Sequence, residues 1–492
     1  MIHQTIIMHK TYLYKFIGIA ILTIAVWACT PTLTKKSVND NLPSKYTNLA
    51  DSTHLNSAQS SDTLNTVDVS WKKYFKDENL VALIDTALQN NQELNIILYE
   101  INVAQAEVRA RKGQYLPYVD GGVGAGVEKA GKYTRTGAVD DNLDIQNGKR
   151  IPTVLPNYVV GVNLSWEVDI WKKLRNAKKA AVLRYLASVE GRNFMITNIV
   201  AEIGSTYYEL LALDKKLEIL KKNIEIQSNA LSIVRMEKQS AKVTELAVRR
   251  FEAQVLYTRS LQFKIQQEIV EAENHLNFLI GSYPKPIKRN PATFIDIVHD
   301  SIYAGVPSQL LSNRWDIKKA EHNLEASKLD VKVAKANFYP TFRITSGIGL
   351  EAFNPKLVIS SPESMLFSLA GTFVGPLINR NEIKAMYLTA NAKQLQAAYN
   401  YERTILNAFI EVSNQMAKIS NLGKSFELQD QQVEALNESV NIANKLFISA
   451  RADYMEVLLT QRDALESKME LVETKKEQLK ATVYFYRALG GG

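Results

Sequence analysis

Six histidines and one cysteine are the side chains here best suited to metal binding or nucleophilic chemistry, and their spacing supports neither. His3, His9, His54, His275, His299 and His322 are scattered and none falls in an HExxH pattern. A lone Cys29 can form neither an intrachain disulfide nor a cysteine cluster for zinc. No nucleophile and base are paired, so no catalytic residue, metal ligand or cofactor site is expected, and the chain reads as something other than an enzyme. The run GGVGAG at Gly121 to Gly126 has the glycine density of a dinucleotide loop, but it begins no helix and reads as a strand of small residues. The 59 basic and 51 acidic side chains leave a net charge of +8, dispersed along helix-like stretches, which argues against nucleic acid as a partner.

The position of Cys29 carries more information than its chemistry. Lys10 and Lys15 precede an apolar run from Phe16 to Ala28, too short for an ordinary membrane span and suited to the apolar part of a secretory signal. The ending Val26-Trp27-Ala28-Cys29 resembles the lipobox of bacterial lipoproteins, with Trp27 in place of the usual small residue. That likeness implies a signal over residues 1–28, acylation of Cys29 and a lipidated tether over 29–70. Several acyl chains would anchor durably, since each buried methylene contributes about 0.8 kcal/mol. Thr30 stands where lipoproteins held at the inner membrane usually carry Asp.

The elements that follow are mostly long helices, as 22 Gly and 13 Pro in 492 residues allow. A composition of 46% hydrophobic and 22% charged residues excludes a disordered chain, a collagen and a polytopic helical membrane protein. Helical spacing from Leu80 to Gln114 ends before Pro117, and residues 118–130 and 157–168 then read as strands flanking a long loop. From Lys172 to about Lys238 no proline occurs, and Ile199, Ile203, Tyr207, Leu210, Leu213, Leu217, Leu220 and Ile224 make one narrow apolar seam. At 1.5 Å per residue that helix is about 100 Å long. A second helix, Glu245 to Ile280, closes this half. The order then recurs: helix Arg314 to Asn337, stop at Pro340, strands 341–352 and 365–375, helix Glu382 to Phe447, helix Glu456 to Leu489. Asn198 to Glu202 (NIVAE) matches Asn407 to Glu411 (NAFIE) at an offset of 209, as Ile280-Gly281 matches Leu489-Gly490. Duplication follows, with repeats at 71–281 and 308–492 joined by a connector at 282–307.

Four strands per chain cannot close a membrane barrel, which needs at least eight, so strands that enter a membrane must be completed by other copies. Two copies would supply eight strands and three would supply twelve. From Trp71 to Gly492 the chain resembles the outer-membrane efflux proteins of the TolC and NodT type. The likeness is carried by Arg314 to Phe342 (RWDIKKAEHNLEASKLDVKVAKANFYPTF), Leu164 to Ala177 (LSWEVDIWKKLRNA), Gly375 to Ala385 (GPLINRNEIKA), Ala450 to Leu465 (ARADYMEVLLTQRDAL) and Tyr486 to Gly492 (YRALGGG). The resemblance implies a mixed α+β membrane protein: a homotrimer whose twelve-stranded transmembrane β-barrel runs on into an antiparallel helical barrel. It implies a passive exit duct in the outer membrane of a Gram-negative bacterium, anchored in outer-membrane lipid. Its partners would be a periplasmic adaptor of the membrane-fusion type and an inner-membrane pump of the RND type. The exported substrate is not legible, because the pump is another chain.

The same resemblance singles out the two turns between long helices, Lys238 to Glu245 and Ser449 to Glu456. Gln239, Ser240 and Ala241 of the first, with Ala450, Arg451 and Ala452 of the second, would be the adaptor-docking tips. Relatives carry a glycine six residues before an acidic residue, and here Gln239 and Ala450 take the glycine places while Glu245 and Glu456 are the acids. Glu456 would ring the tunnel constriction, with Asp453, Arg451, Tyr454, Glu245 and Thr244 beside it, and Leu459 replaces a second acid one turn on. Trp166, Trp171, Tyr118, Tyr158, Phe338 and Tyr339 are expected where strands leave the membrane and join helices. Two other readings are a lipid-anchored coiled-coil scaffold and a type I secretion outer-membrane duct.

Overall fold

The computed structural model describes residues 31–44, 46, 70–146, 148–297, 305–449 and 451–491. The signal segment, Cys29, most of the tether and Ala450 lie outside the described residues, as do His3, His9, His54 and His299. The elements are α1 (Trp71–Tyr74), α2 (Glu78–Asn90), α3 (Gln92–Tyr115), β1 (Tyr118–Glu128), α4 (Arg135–Asp140), β2 (Asp144–Gln146), β3 (Lys149–Arg150) and β4 (Leu155–Val168). They continue with α5 (Lys173–Gln239), α6 (Glu245–Leu279), α7 (Gln309–Asn313), α8 (Trp315–Ala336), β5 (Thr341–Ala352), β6 (Met365–Val374), α9 (Asn381–Ile448) and α10 (Tyr454–Leu489). No described helix is long and apolar enough to cross a membrane.

The expected single helix from Leu80 to Gln114 is two helices, broken at Asn91. The Asn91 carboxamide accepts from the Leu94 N–H at 3.1 Å, capping α3, and donates to the Leu279 carbonyl at 2.8 Å. A buried side chain that caps one helix and ties it to another outweighs continuous propensity. The loop expected between the first two strands contains α4 and the small β2–β3 hairpin.

Two compact units partition the chain, and each draws on both sequence halves. The first takes 102–186 and 322–398 and holds a four-stranded antiparallel sheet in the order β1-β4-β5-β6. The register is unbroken through Val119↔Leu164, Leu164↔Ser346 and Ser346↔Leu369. Because directly opposite residues share a face, one face carries Val119, Val123, Val127, Val160, Val162, Leu164, Trp166, Phe342, Ile344, Ile348, Phe367, Leu369 and Phe373. The other carries Asp120, Asn163, Ser165, Glu167, Arg343, Thr345, Ser368 and Thr372, with glycines at 122, 124, 126, 161, 347 and 349. The glycine run read as a strand is therefore part of β1, an edge strand of the sheet.

The second unit takes 187–321 and 399–492 with 38–101. Its core packs α1 and α2 against α5, α6 and α10 through Phe75, Leu80, Ile84, Ile203, Tyr207, Leu276 and Val483. Tyr74 stacks on Tyr486 at 4.3 Å and its hydroxyl donates to the Thr482 carbonyl at 2.8 Å. The described part of the tether forms neither helix nor strand, and it is held in place. Leu33 packs against the first unit's Phe338 and Tyr387 cluster. In the second unit the Asn39 N–H donates to Glu402 at 2.9 Å and Tyr46 stacks on Phe409 at 5.2 Å.

Candidate functional site

The helix-reversal end is built from two turns sharing one apolar core. Leu231 and Val234 of α5, Ala247, Val248, Phe251 and Val255 of α6, Ala443 of α9 and Val457 of α10 form it, with Val243, Phe447, Tyr454 and Leu458 packed alongside. Tyr454 is thus a packing residue of this core.

The first turn closes with Lys242 N–H on the Glu237 carbonyl at 3.0 Å and Ala241 N–H on the Lys238 carbonyl at 2.9 Å, while Ala241 has φ +56°. These are the features of a left-handed helix stop that favours glycine. The second turn carries the same long bond, Arg451 N–H to the Leu446 carbonyl at 2.8 Å. Both helices after the turns start behind caps with extended backbone and no side-chain capping bond, Thr244 and Asp453.

This geometry corrects the pairing expected between the turns. Last helical residues Gln239 and Ile448, caps Thr244 and Asp453, and first helical residues Glu245 and Tyr454 correspond at an offset of 209. Glu245 is therefore not the counterpart of Glu456. The residue at that place in the first turn is Ala247, which is buried and shares the N–H bond to its cap carbonyl at 3.1 Å. Nor is Gln239 at the glycine place, which belongs to Ala241.

Charge separates the two acids further. Glu245 pairs with Lys238 and, at 2.9 Å, with Arg249. Arg249 also holds Glu252, which reaches Arg235. The bond from Lys238, aided by the charges of Lys238 and Arg249, keeps the Glu245 carboxyl below its ordinary pKa. Among the described residues, Arg451, Asp453 and Glu456 make no ion pair, and all three are exposed. Gln239, Ser240 and Ala241 are exposed as well, and Ala452 is half-buried.

A second polar site was not singled out from sequence. Asn198 and Glu202 of α5 and Asn407 and Glu411 of α9 line one cavity of 510 Å³ together with Arg314, Asp316, Tyr484 and Arg487. The matched NIVAE and NAFIE segments thus place their polar residues on the same space. Arg314, 4% exposed, grips Asp316 through two bonds of 2.7 and 2.9 Å, Glu411 at 2.7 Å and the Ala488 carbonyl at 2.9 Å. Burial works to lower its pKa, but the bonds to Asp316 and the charges of Asp316 and Glu411 override this and raise it. The sequence signal was the matched NIVAE and NAFIE pair, read there only as a mark of duplication. His275 bonds Glu202 at 3.0 Å, and no group of described residues is arranged to hold a metal ion.

The aromatics expected at the strand–helix junction divide. Trp171 stacks on Tyr339 at 4.7 Å and donates to the Pro340 carbonyl at 2.7 Å, Trp166 donates to the Tyr115 carbonyl, and Tyr118 begins β1 there. Phe338 is instead core, 1% exposed against Tyr387. Tyr158 lies at the other end of its strand, opposite Ala125 and Ala352.

Comparison with known proteins gives a concordant result. The family model for outer membrane efflux protein matches residues 83–282 and 306–491. The solvent efflux pump outer membrane protein SrpC of Pseudomonas putida is 26% identical over 422 residues, 86% of this chain and 87% of that protein. The cation efflux system protein CusC of Escherichia coli K12 is 25% identical over 425 residues, 86% of this chain and 89% of its own. The open-state crystal structure of the Neisseria gonorrhoeae MtrE outer membrane channel superposes with a TM-score of 0.80 at 21% identity, covering 94% of this chain and 98% of that one.

Proposed function

This chain belongs to the outer membrane efflux protein family, and on that premise we propose that it is the exit duct of a tripartite efflux pump, working as a homotrimer. The observation that carries this reading is the sheet. Its apolar face is exposed, with Val123 at 86%, Phe367 at 80% and Leu369 at 77%, and its edge strands β1 and β6 have no partner on their outer sides among the described residues. Open edges cannot face lipid. Three copies, each pairing β6 with the next β1, would close a twelve-stranded wall with its apolar face to lipid and its glycine-rich polar face to water.

Within that assembly Glu456 is the constriction acid, one per chain, because Glu245 is neutralised within its own turn. Converging carboxylates attract cations. Arg451, Asp453 and Thr244 border the entrance, and Tyr454 braces it from the apolar core. The tips at Gln239, Ser240, Ala241, Arg451 and Ala452, with Ala450, meet a periplasmic adaptor, which joins the duct to an inner-membrane pump of the RND type. Residues 1–28 are a signal, Cys29 carries lipid, and 29–70 is the tether.

Duplication of 71–281 into 308–492, around a connector at 282–307, is supported by matched joints. Gly281 (φ +67°) lies against the Asn90 carbonyl and Gly490 (φ +99°) against the Asn313 carbonyl. A Cβ at either would sit 2.6 or 2.7 Å from that oxygen. The residues that follow, Asn91 and Arg314, each bond the carbonyl of the repeat's last long helix, at Leu279 and Ala488. The relatives are named for solvent and for cation efflux at nearly equal identity, which supports the reading that cargo is chosen by the pump and not by the duct.

The test is purified protein from the outer-membrane fraction. Heat-modifiable trimers and stepwise ion conductance in planar bilayers are expected. A monomer giving no conductance would favour the scaffold reading.

A further inference from the structure

The turn-bearing end of the second unit and its main core are two separate apolar clusters, and between them, on the three helices that build both, the fully buried side chains are polar apart from Ala464, with Leu261 half-buried against the main core. The main core reaches Leu220 on α5, Ile265 on α6 and Leu465 on α10. The cluster under the turns begins at Leu231, Val255 and Val457 on the same helices. Between these limits the buried residues are Gln227 (1% exposed), Thr258 (0%), Gln461 (4%) and the small Ala464. Thr258 donates to the Gln227 side-chain oxygen at 2.8 Å. The Gln227 amide nitrogen, the Gln254 amide nitrogen and both polar atoms of Gln461 are buried with no partner in the chain. The fourth helix does not clamp this section, since α9 has no buried residue between Val412 and Ala443.

Each buried polar atom left without a partner costs about 1–3 kcal/mol, and a layer holding several is the weakest cross-section of the bundle. Apolar packing above and below keeps each side rigid, so motion concentrates where the packing stops. We infer that the layer of Gln227, Thr258 and Gln461 is a built-in hinge on which the turn-bearing end, with Glu456, swings relative to the rest of its unit. This rests on the proposed duct only in what the motion does there: swinging would widen or narrow the Glu456 constriction.

A rival role is that the layer merely sets helix register, as single buried amides do in coiled coils. Two measurements separate these. In the unmodified trimer, amide exchange over 221–229, 256–260 and 459–464 is expected to run about tenfold faster than in the flanking stretches 203–213 and 247–255, the effect of one unpaired amide. Equal or slower exchange overturns the hinge and needs no variant. Replacing the layer as Gln227→Leu, Thr258→Val and Gln461→Leu joins the two clusters. Trimers are then expected to form, to melt at higher temperature, to exchange slowly at the layer and to show at least about tenfold fewer transitions between conductance levels. Mixed or mis-registered oligomers, or unaltered exchange and gating, overturn it. If unmodified trimers conduct nothing, the duct reading fails while the exchange measurement still decides the hinge.

Discussion

The lipid face of the sheet can be tested one residue at a time, because adjacent positions on β6 point to opposite sides. Leu369 is the fifth of ten residues in β6 and lies in the row Val119, Leu164, Ser346. Its neighbour Ala370 lies in the row Tyr118, Ser165, Thr345 on the polar face. Both are exposed in the single chain, so neither burial nor strand propensity distinguishes them. Lipid does. An arginine near the membrane midplane on the lipid side costs about 2–4 kcal/mol, whereas one facing the water-filled interior costs little. Each 1.4 kcal/mol is a factor of about ten, so Leu369→Arg should lower the assembled fraction per chain by roughly 30- to 700-fold. Ala370→Arg should assemble normally and shift ion selectivity toward anions. The assay is the yield of heat-modifiable trimer in outer-membrane fractions, with reversal potentials in bilayers for whatever assembles. If both substitutions prove equally harmful, or Leu369→Arg proves harmless, the assignment of faces is wrong and the barrel argument falls with it.

Four further outcomes are expected. Glu456→Leu should reduce cation selectivity and divalent block while trimers persist, and Glu245→Leu should leave selectivity alone, both read from reversal potentials. Because the Glu245 carboxyl is held below its ordinary pKa, its contribution to the first turn is complete above the ordinary carboxylate value and is lost as pH falls through the depressed one; cleavage by an acid protease after Lys238 should rise only in that lower window. Ala241→Gly should stabilise the first turn by about 1 kcal/mol, since alanine is strained at positive φ, and trimer melting should show the rise. Arg314→Leu strands Asp316 and Glu411 and leaves the Ala488 carbonyl unbonded, so a loss of about 3 kcal/mol is expected in the same melting assay.

Much of this molecule was legible in its local pattern. Period and punctuation located α5, α6, α8, α9 and α10 to within a few residues but ran α2 and α3 together: no proline interrupts Lys172 to Lys238, an apolar seam runs from Ile199 to Ile224, and Pro117 and Pro340 mark where helix gives way to strand. The four strands were visible for the same reason, because alternation of small, apolar and polar residues is a property of neighbours along the chain. The shortage of strands, four where a closed membrane barrel needs at least eight, followed by counting. What the tertiary structure alone decided is which distant residues meet. Ala247, not Glu245, stands where Glu456 stands, because the two turns are aligned by their backbone stops and caps and not by their charges. Arg314 became the centre of a buried ion network because its partners lie on three separate elements, at Asp316, Glu411 and Ala488, and charge pairing across space leaves no period in a sequence. Gln227, Thr258 and Gln461 carry no pattern that sets them apart in the sequence, and packing buries them in one layer. Periodicity reports the forces a residue shares with its neighbours in the chain; burial and pairing are set by the whole fold.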